Sequence, residues 1–184
     1  MTLALVGLPG SGKSTVGRQL ARRLAVPFFD SDHVIERRLG CSIREFFERE
    51  GEDRFRDLEQ EILDDLTRGG SCVLSTGGGA VLRAANRQRL HERARVVYLR
   101  STPEEVFRRV RHDRNRPLLQ VADPLQRLRE LYAVRDPLYR ETAHFVVETG
   151  RPSVATLVNM VMMQLELAGE LPAMVDGGEP PPAA

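Results

Sequence analysis

Nine residues near the start of the chain, Gly7-Leu8-Pro9-Gly10-Ser11-Gly12-Lys13-Ser14-Thr15, constrain its fold more than any other feature. They follow the apolar run Leu3-Ala4-Leu5-Val6 and precede a segment in which Val16, Leu20 and Leu24 fall at helical spacing. A short buried strand, a glycine-rich turn and a helix, in that order, turn G-x-x-x-x-G-K-[ST] from a pattern match into a phosphate site. The amides of such a loop and the N-terminus of its helix point at an anion. Gly10, Ser11, Gly12, Lys13, Ser14 and Thr15 are therefore the candidate nucleotide-phosphate contacts, with the Ser14 hydroxyl placed for Mg2+. Lys13 is the single lysine among 27 basic residues; the other 26 are arginine. An ammonium is a compact charge that can follow a phosphoryl group in flight, whereas a planar guanidinium fits a narrow loop poorly. The bland alternative, a glycine turn before an ordinary helix, is disfavoured because spacing and both flanks agree.

Further β-rich runs occur at 26–29, 72–75, 95–99 and 144–148, with helical patterns between them. Strands alternating with helices predict an α/β fold: a doubly wound parallel sheet, with ligands bound at the C-terminal ends of its strands. The stretch 32–70 is long for one connection. It predicts helices broken near Gly40 and Gly51, then an amphipathic helix from Arg54 to Arg68, an insertion suited to building a substrate site. Residues 112–123 are polar and aperiodic and carry Arg114, Arg116 and Pro117, which marks a lid candidate. Pro152 to Ala168 predicts a closing helix with proline at its start.

A length of 184 residues predicts one domain, assigned to 1–168, with 169–184 as a disordered Pro/Gly-rich tail. A net charge of +1 supplies no bulk field for nucleic acid or anionic membrane, and no apolar run is long enough to span a bilayer. Cys41 and Cys72 stand alone without C-x-x-C, which suits a reduced, cytoplasmic setting. His33, His91, His112 and His144 lack metal-ligand spacing and are expected to be structural or solvated.

Two constellations follow later strands. Asp30-Ser31-Asp32 could bring two carboxylates into one cleft, one for Mg2+ waters and one for a substrate hydroxyl. Equally, Ser31 or Asp32 could be the N-cap of the helix that follows. Thr76-Gly77-Gly78-Gly79 lets a ligand approach bare backbone amides, or is a plain tight turn. Among the arginines, local context singles out Arg56, Arg116, Arg135 and one of Arg108 and Arg109.

The stretches "GLPGSGKSTVGRQLA", "FFDSDHVIE", "SIREFFEREGEDRFRDLE", "STGGGAV", "RNRPLL" and "RDPLYRE" together resemble the shikimate kinases of the bacterial P-loop type over roughly residues 3–168. The first stretch is shared by many nucleotide kinases. The combination of D-S-D, F-R-x-x-E, G-G-G, R-P-L-L and R-x-P-L-Y is specific to that family. The resemblance implies a three-layer P-loop kinase fold with a five-stranded parallel sheet in order 2-3-1-4-5, a substrate-binding region at about 31–62 and a lid at about 112–123. It implies ATP- and Mg2+-dependent phosphorylation of the 3-hydroxyl of shikimate, a step toward chorismate and the aromatic amino acids, by a monomer. By motif, Asp32 would hold the ring hydroxyls and Asp30 would sit near Mg2+ with Ser14. Arg56 and Arg135 would clamp the carboxylate, and the Gly78-Gly79 backbone would cover the ring. Arg116 would act on the phosphates, with Lys13 and Asp32 completing the catalytic set. Phe47, Phe55 and Glu59 would line or brace the site, and Arg109, Arg151 and Pro152 would flank adenine.

The residue types suit that substrate. A small anion with three hydroxyls needs a planar cationic fork and a carboxylate, which Arg56 and Asp32 supply. A gluconate kinase would share the loop but not the pair Arg56 and Arg135 with G-G-G. A non-enzymatic guanine-nucleotide switch would need a second lysine in its base-reading motif, and the chain has none.

Overall fold

The computed structural model describes residues 1–113 and 120–171. Five strands, β1 (Thr2–Val6), β2 (Phe28–Asp30), β3 (Cys72–Ser75), β4 (Ala94–Arg100) and β5 (Phe145–Glu148), form one sheet in order β2-β3-β1-β4-β5, every pair parallel. All five predicted runs are strands, displaced by no more than two residues at an end. The register places Ser75 beside both Leu5 and Asp30, and Val6 beside Tyr98. The ends of β1, β2 and β3 thus converge on one rim.

β1 is apolar from Leu3 to Val6 because a central parallel strand is covered on both faces. Its side chains alternate between two cores. Leu3 and Leu5 join Val73, Val97 and Leu99 beneath α1 (Lys13–Leu24) and α8 (Val154–Leu167), through Val16, Leu20, Leu157 and Val161. Ala4 and Val6 join Leu74, Val96 and Tyr98 on the other face, against α4 (Glu52–Arg68), α5 (Ala84–Arg93) and α7 (Pro124–Thr142), through Leu63, Leu90, Leu128 and Tyr139. A further helix, α6 (Pro103–Val110), begins with a capping box between Thr102 and Glu105.

Between β2 and β3 the chain forms α2 (Ser31–Leu39), α3 (Ile43–Glu50) and α4, with breaks at Gly40 and Gly51, both at positive φ (70° and 84°). This insertion has its own small core of Ile35, Phe46, Phe55 and Ile62. α4 starts at Glu52, two residues before the predicted Arg54, because its acidic first turn suits a helix N-terminus. Two caps differ from expectation. Asp30, rather than Ser31 or Asp32, caps α2, its side chain accepting from the Asp32 and His33 amides. Ser153 caps α8, so Pro152 lies before the cap and not in the first turn.

Pro137 lies inside α7 and leaves the Ala133 carbonyl without its helical donor. Beyond α8, Glu170 pairs with Arg95 and Leu171 packs on the core, so residues left outside the expected 1–168 boundary are tied to the domain. Cys41 and Cys72 are both free thiols. Among the described residues, no helix is long and apolar enough to cross a membrane.

Candidate active site

The phosphate loop runs from the end of β1 into α1. Lys13 is only 7% exposed, and its Nζ donates to the carbonyls of Gly7 and Leu8, both at 2.8 Å. The ammonium is thus held over the loop's own backbone. The Ser11 amide closes the turn onto Leu8 O at 3.1 Å. Arg109, reaching from α6, donates to Ser11 O (3.2 Å) and to Thr149 O (2.8 Å), which ties the loop to the end of β5. Arg151 is exposed and Pro152 half-buried, two and three residues beyond that tie; Arg108 faces solvent.

Beside the loop, Ser14 Oγ donates to Asp30 Oδ2 at 2.7 Å and lies 3.4 Å from Ser75 Oγ. The parallel register causes this meeting, since Asp30 and Ser75 are paired at the ends of β2 and β3. The other Asp30 oxygen caps α2 (3.0 Å to the Asp32 amide). One carboxylate therefore serves as the helix cap and as part of the candidate metal site, although the cap expected from D-S-D was Ser31 or Asp32. A hydroxyl and a carboxylate are the hard oxygen donors Mg2+ takes, with substrate phosphates and water filling the remaining positions. Among the described residues, no group of three or more His, Cys, Asp or Glu could hold a metal by itself.

The loop, Asp30, Asp32 and the Ser75–Gly78 turn enclose a cleft of about 270 Å³. Asp32 has its pKa raised, chiefly by burial and then by the nearby Asp30 charge; Lys13 opposes the shift. Glu59, 1% exposed, is likewise raised, chiefly by burial, with Arg56 the main opposing influence. Arg56 comes from the first turns of α4 and is 12% exposed. It donates through Nη1 to Glu59 Oε1 at 2.8 Å, and its Nε lies 3.5 Å from Glu52 Oε1. Arg56 Nε and Glu59 Oε2 are buried without a hydrogen-bond partner among the described residues. A half-satisfied guanidinium of this kind retains donor capacity for a ligand. Phe55 lies under the Arg56 guanidinium, 5.0 Å from it, with Phe47 5.1 Å beyond.

The three glycines after β3 are where these parts meet. A Cβ on Gly77 would lie 2.7 Å from Asp32 Oδ1 and 3.2 Å from Glu59 Oε2. On Gly78 it would strike Pro9 of the phosphate loop at 2.6 Å, and on Gly79 the Arg56 guanidinium, 2.7 Å from Cζ. Close approach on three sides, rather than a tight turn alone, explains the run. Arg135 projects from α7 and is half-buried, one helical turn before Tyr139, whose hydroxyl donates to Gly78 O at 2.6 Å.

Lys13, Ser14, Asp30, Asp32 and Gly78 therefore line one cleft, with Gly79 and Arg56 packed against each other beside it and Tyr139 bonded to Gly78 one turn after Arg135. Arg116, and the central half (114–119) of the lid assigned to 112–123, lie outside the described residues, as do residues 172–184 of the expected tail. Sequence reasoning offered Ser31 only as a helix cap, whereas its Oγ accepts from the Gly77 amide at 3.0 Å, and it gave no role to Ser75 or Tyr139. Ser75 carried a usable signal, since it ends a strand at the rim where parallel sheets bind ligands.

A family profile described as "Shikimate kinase" matches residues 9–166. A shikimate kinase of Paracidovorax citrulli (strain AAC00-1) is 62% identical over 175 residues, 94% of this chain and 96% of that relative. Among solved structures, a shikimate kinase from Acinetobacter baumannii in complex with shikimate aligns with a TM-score of 0.86 at 47% identity, covering 93% of this chain and 95% of the other. A shikimate kinase from Bacteroides thetaiotaomicron aligns at 0.85 with 31% identity, covering 90% and 98%.

Proposed function

The chain belongs to the shikimate kinase family, and from that premise we propose that the cleft between the phosphate loop and the three glycines transfers the γ-phosphoryl of ATP to the 3-hydroxyl of shikimate. Shikimate kinase activity, within aromatic amino acid biosynthesis, is the function of the protein; the roles of its residues are the proposal. One observation carries them. Gly77, Gly78 and Gly79 touch, in order, Asp32, the phosphate loop at Pro9, and Arg56. Groups suited to a hydroxyl, to phosphates and to a carboxylate thus lie within one small molecule's reach. The relative solved with shikimate, at 47% identity, supports the same substrate here.

ATP would lay its β- and γ-phosphates on the amides of Gly10 to Thr15, with the Lys13 ammonium beside the moving group. Ser14 and Asp30 would hold Mg2+, which when bound neutralises phosphate charge. Asp32 would accept a hydrogen bond from the acceptor hydroxyl and aim its oxygen. Its raised pKa makes it a stronger proton acceptor than an ordinary aspartate. In a loose transition state that proton leaves late, so aim matters more than basicity. Arg56 and Arg135 would fix the shikimate carboxylate, and so the ring, at the far end of the cleft. Arg109 and the Arg151-Pro152 turn would bound the adenine side. The working unit would be a monomer.

ADP release with ATP and Mg2+ should depend on added shikimate and stay at background with gluconate. Equal stimulation by gluconate, or release indifferent to shikimate, would contradict the proposal.

A further inference from the structure

We propose that Tyr139 is a positioning residue: its hydroxyl holds the Gly78 carbonyl so that the Gly79 amide is aimed at the substrate carboxylate beside Arg56. The inference rests on the reading above that Arg56 and Arg135 bind that carboxylate.

The hydrogen bonds of the glycine turn show what is spent and what is left. The Thr76 amide donates to Leu5 O (3.1 Å), the Gly77 amide to Ser31 Oγ (3.0 Å) and the Ala80 amide to Gly77 O (3.0 Å). Gly79 O accepts from the Leu82 amide (3.1 Å), and Gly78 O accepts from Tyr139. Of the amides from Thr76 to Ala80, those of Gly78 and Gly79 have no acceptor among the described residues. The other three amides of the turn are spent, and it offers two donors. Gly78 C=O and Gly79 N–H belong to one trans peptide and point opposite ways. Holding the carbonyl toward α7 therefore sets the Gly79 N–H away from it. Gly79 Cα in turn packs on the Arg56 guanidinium, so the spare amide and the cationic fork are neighbours.

The Tyr139 hydroxyl donates this bond, and Arg135 also hydrogen-bonds to it. The Tyr139 ring is fully buried and packs tilted against Tyr98, with centroids 4.9 Å apart, and a buried hydroxyl needs a partner. It finds that partner 61 residues away in sequence. Burial pushes the phenol pKa up to about 12, against the pull of Arg135 and Arg56, so the O–H remains a donor at neutral pH. The other hydroxyl of the pair, on Tyr98, goes to Asp136 Oδ1 (2.7 Å) and has no recorded bond to the turn, which makes it a control. Arg135 sits one turn before Tyr139, so α7 delivers one carboxylate contact directly and sets another through the glycine peptide.

The test is calorimetric binding of shikimate and, separately, of Mg·ADP to wild type, Tyr139→Phe, Tyr98→Phe and Arg56→Ala. Tyr139→Phe should weaken shikimate binding by about fivefold or more, as loss of one oriented hydrogen bond implies, and leave Mg·ADP within about twofold. Tyr98→Phe should leave both unchanged. Unaltered shikimate affinity in Tyr139→Phe, an equal loss of both ligands, or the same loss in Tyr98→Phe would overturn the inference. If Arg56→Ala weakens shikimate while Tyr139→Phe does not, only this inference falls. If Arg56→Ala binds shikimate normally, the carboxylate reading falls and takes the inference with it. Should Tyr139→Phe not fold, 3-fluorotyrosine at position 139 replaces it. Its fluorine resonance should move with shikimate and not with Mg·ADP, and silence to shikimate or the reverse response would count against the role.

Discussion

Asp32 shows most directly what the site costs the fold. Its carboxylate is pushed toward protonation by burial and by Asp30, so its charged form is less favourable folded than unfolded. The linkage has a definite sign. Between the unfolded pKa and the higher folded one, the native state binds more protons, so stability falls as pH rises through that window and the penalty is complete above it. Asp32→Asn should therefore raise the thermal midpoint by a few degrees at pH 7, about what 1 kcal/mol gives in a chain of this size, while lowering turnover. The gain should shrink as pH drops through the folded pKa toward 3.8. Thermal melts of both proteins between pH 4 and 8 check this, and a gain that grows toward acid would have the wrong sign. At this scale the sequence was only partly legible. The spacing of D-S-D left cap and ligand equally open, because the answer depends on which oxygen faces Ser14 across the sheet rim. Tyr139 lay in a quoted motif, yet its role needs α7 folded against a turn 61 residues away, which no local pattern encodes.

At the scale of elements, apolar runs and glycine breaks located strands and helices to within two residues, and misjudged caps where a side chain outside the expected set was better placed. The approach to β5 is one such case. The backbone amide of His144 donates to Val96 O (2.8 Å), and its Nδ1 accepts from the Val96 amide (3.0 Å), so a side chain continues the ladder before the strand begins. The ring stacks on His91 at 4.2 Å, and His91 Nδ1 donates to Thr142 O. Burial, then His91 and Arg95, lowers the His144 pKa, with Glu170 opposing. A depressed histidine gives stability that is full above its unfolded value of 6.5 and lost as pH falls through the folded value. Wild type should lose more thermal stability from pH 7.5 to 5.5 than His144→Gln does. Equal losses would show that this ring does not couple the strands to pH. The histidines expected to be structural or solvated include at least this one with a defined mechanical place.

At the scale of the molecule, alternating strands and helices were enough for a parallel α/β sheet, but the order β2-β3-β1-β4-β5 came from resemblance, since spacing does not rank strands. That order makes the site. It puts β1 between β3 and β4 and lets the insertion between β2 and β3 bring Arg56 against the same turn that Pro9 touches. The phosphate loop was readable because its chemistry is local. The carboxylate pocket was not, because Arg56, Gly79 and Arg135 come from three distant segments, and without the family motifs nothing distinguishes two arginines from the other 24. The central claim is that this assembled pocket reads the carboxylate of shikimate. The most direct measurement is kcat/KM for shikimate and for its carboxamide, in wild type, Arg56→Ala and Arg135→Ala. A charged contact contributes about 1.5–3 kcal/mol, so the amide should be worse than shikimate by roughly ten- to a hundredfold in wild type. That penalty should shrink in each arginine variant, because the partner it offends is gone. An amide penalty undiminished in both variants would contradict the account.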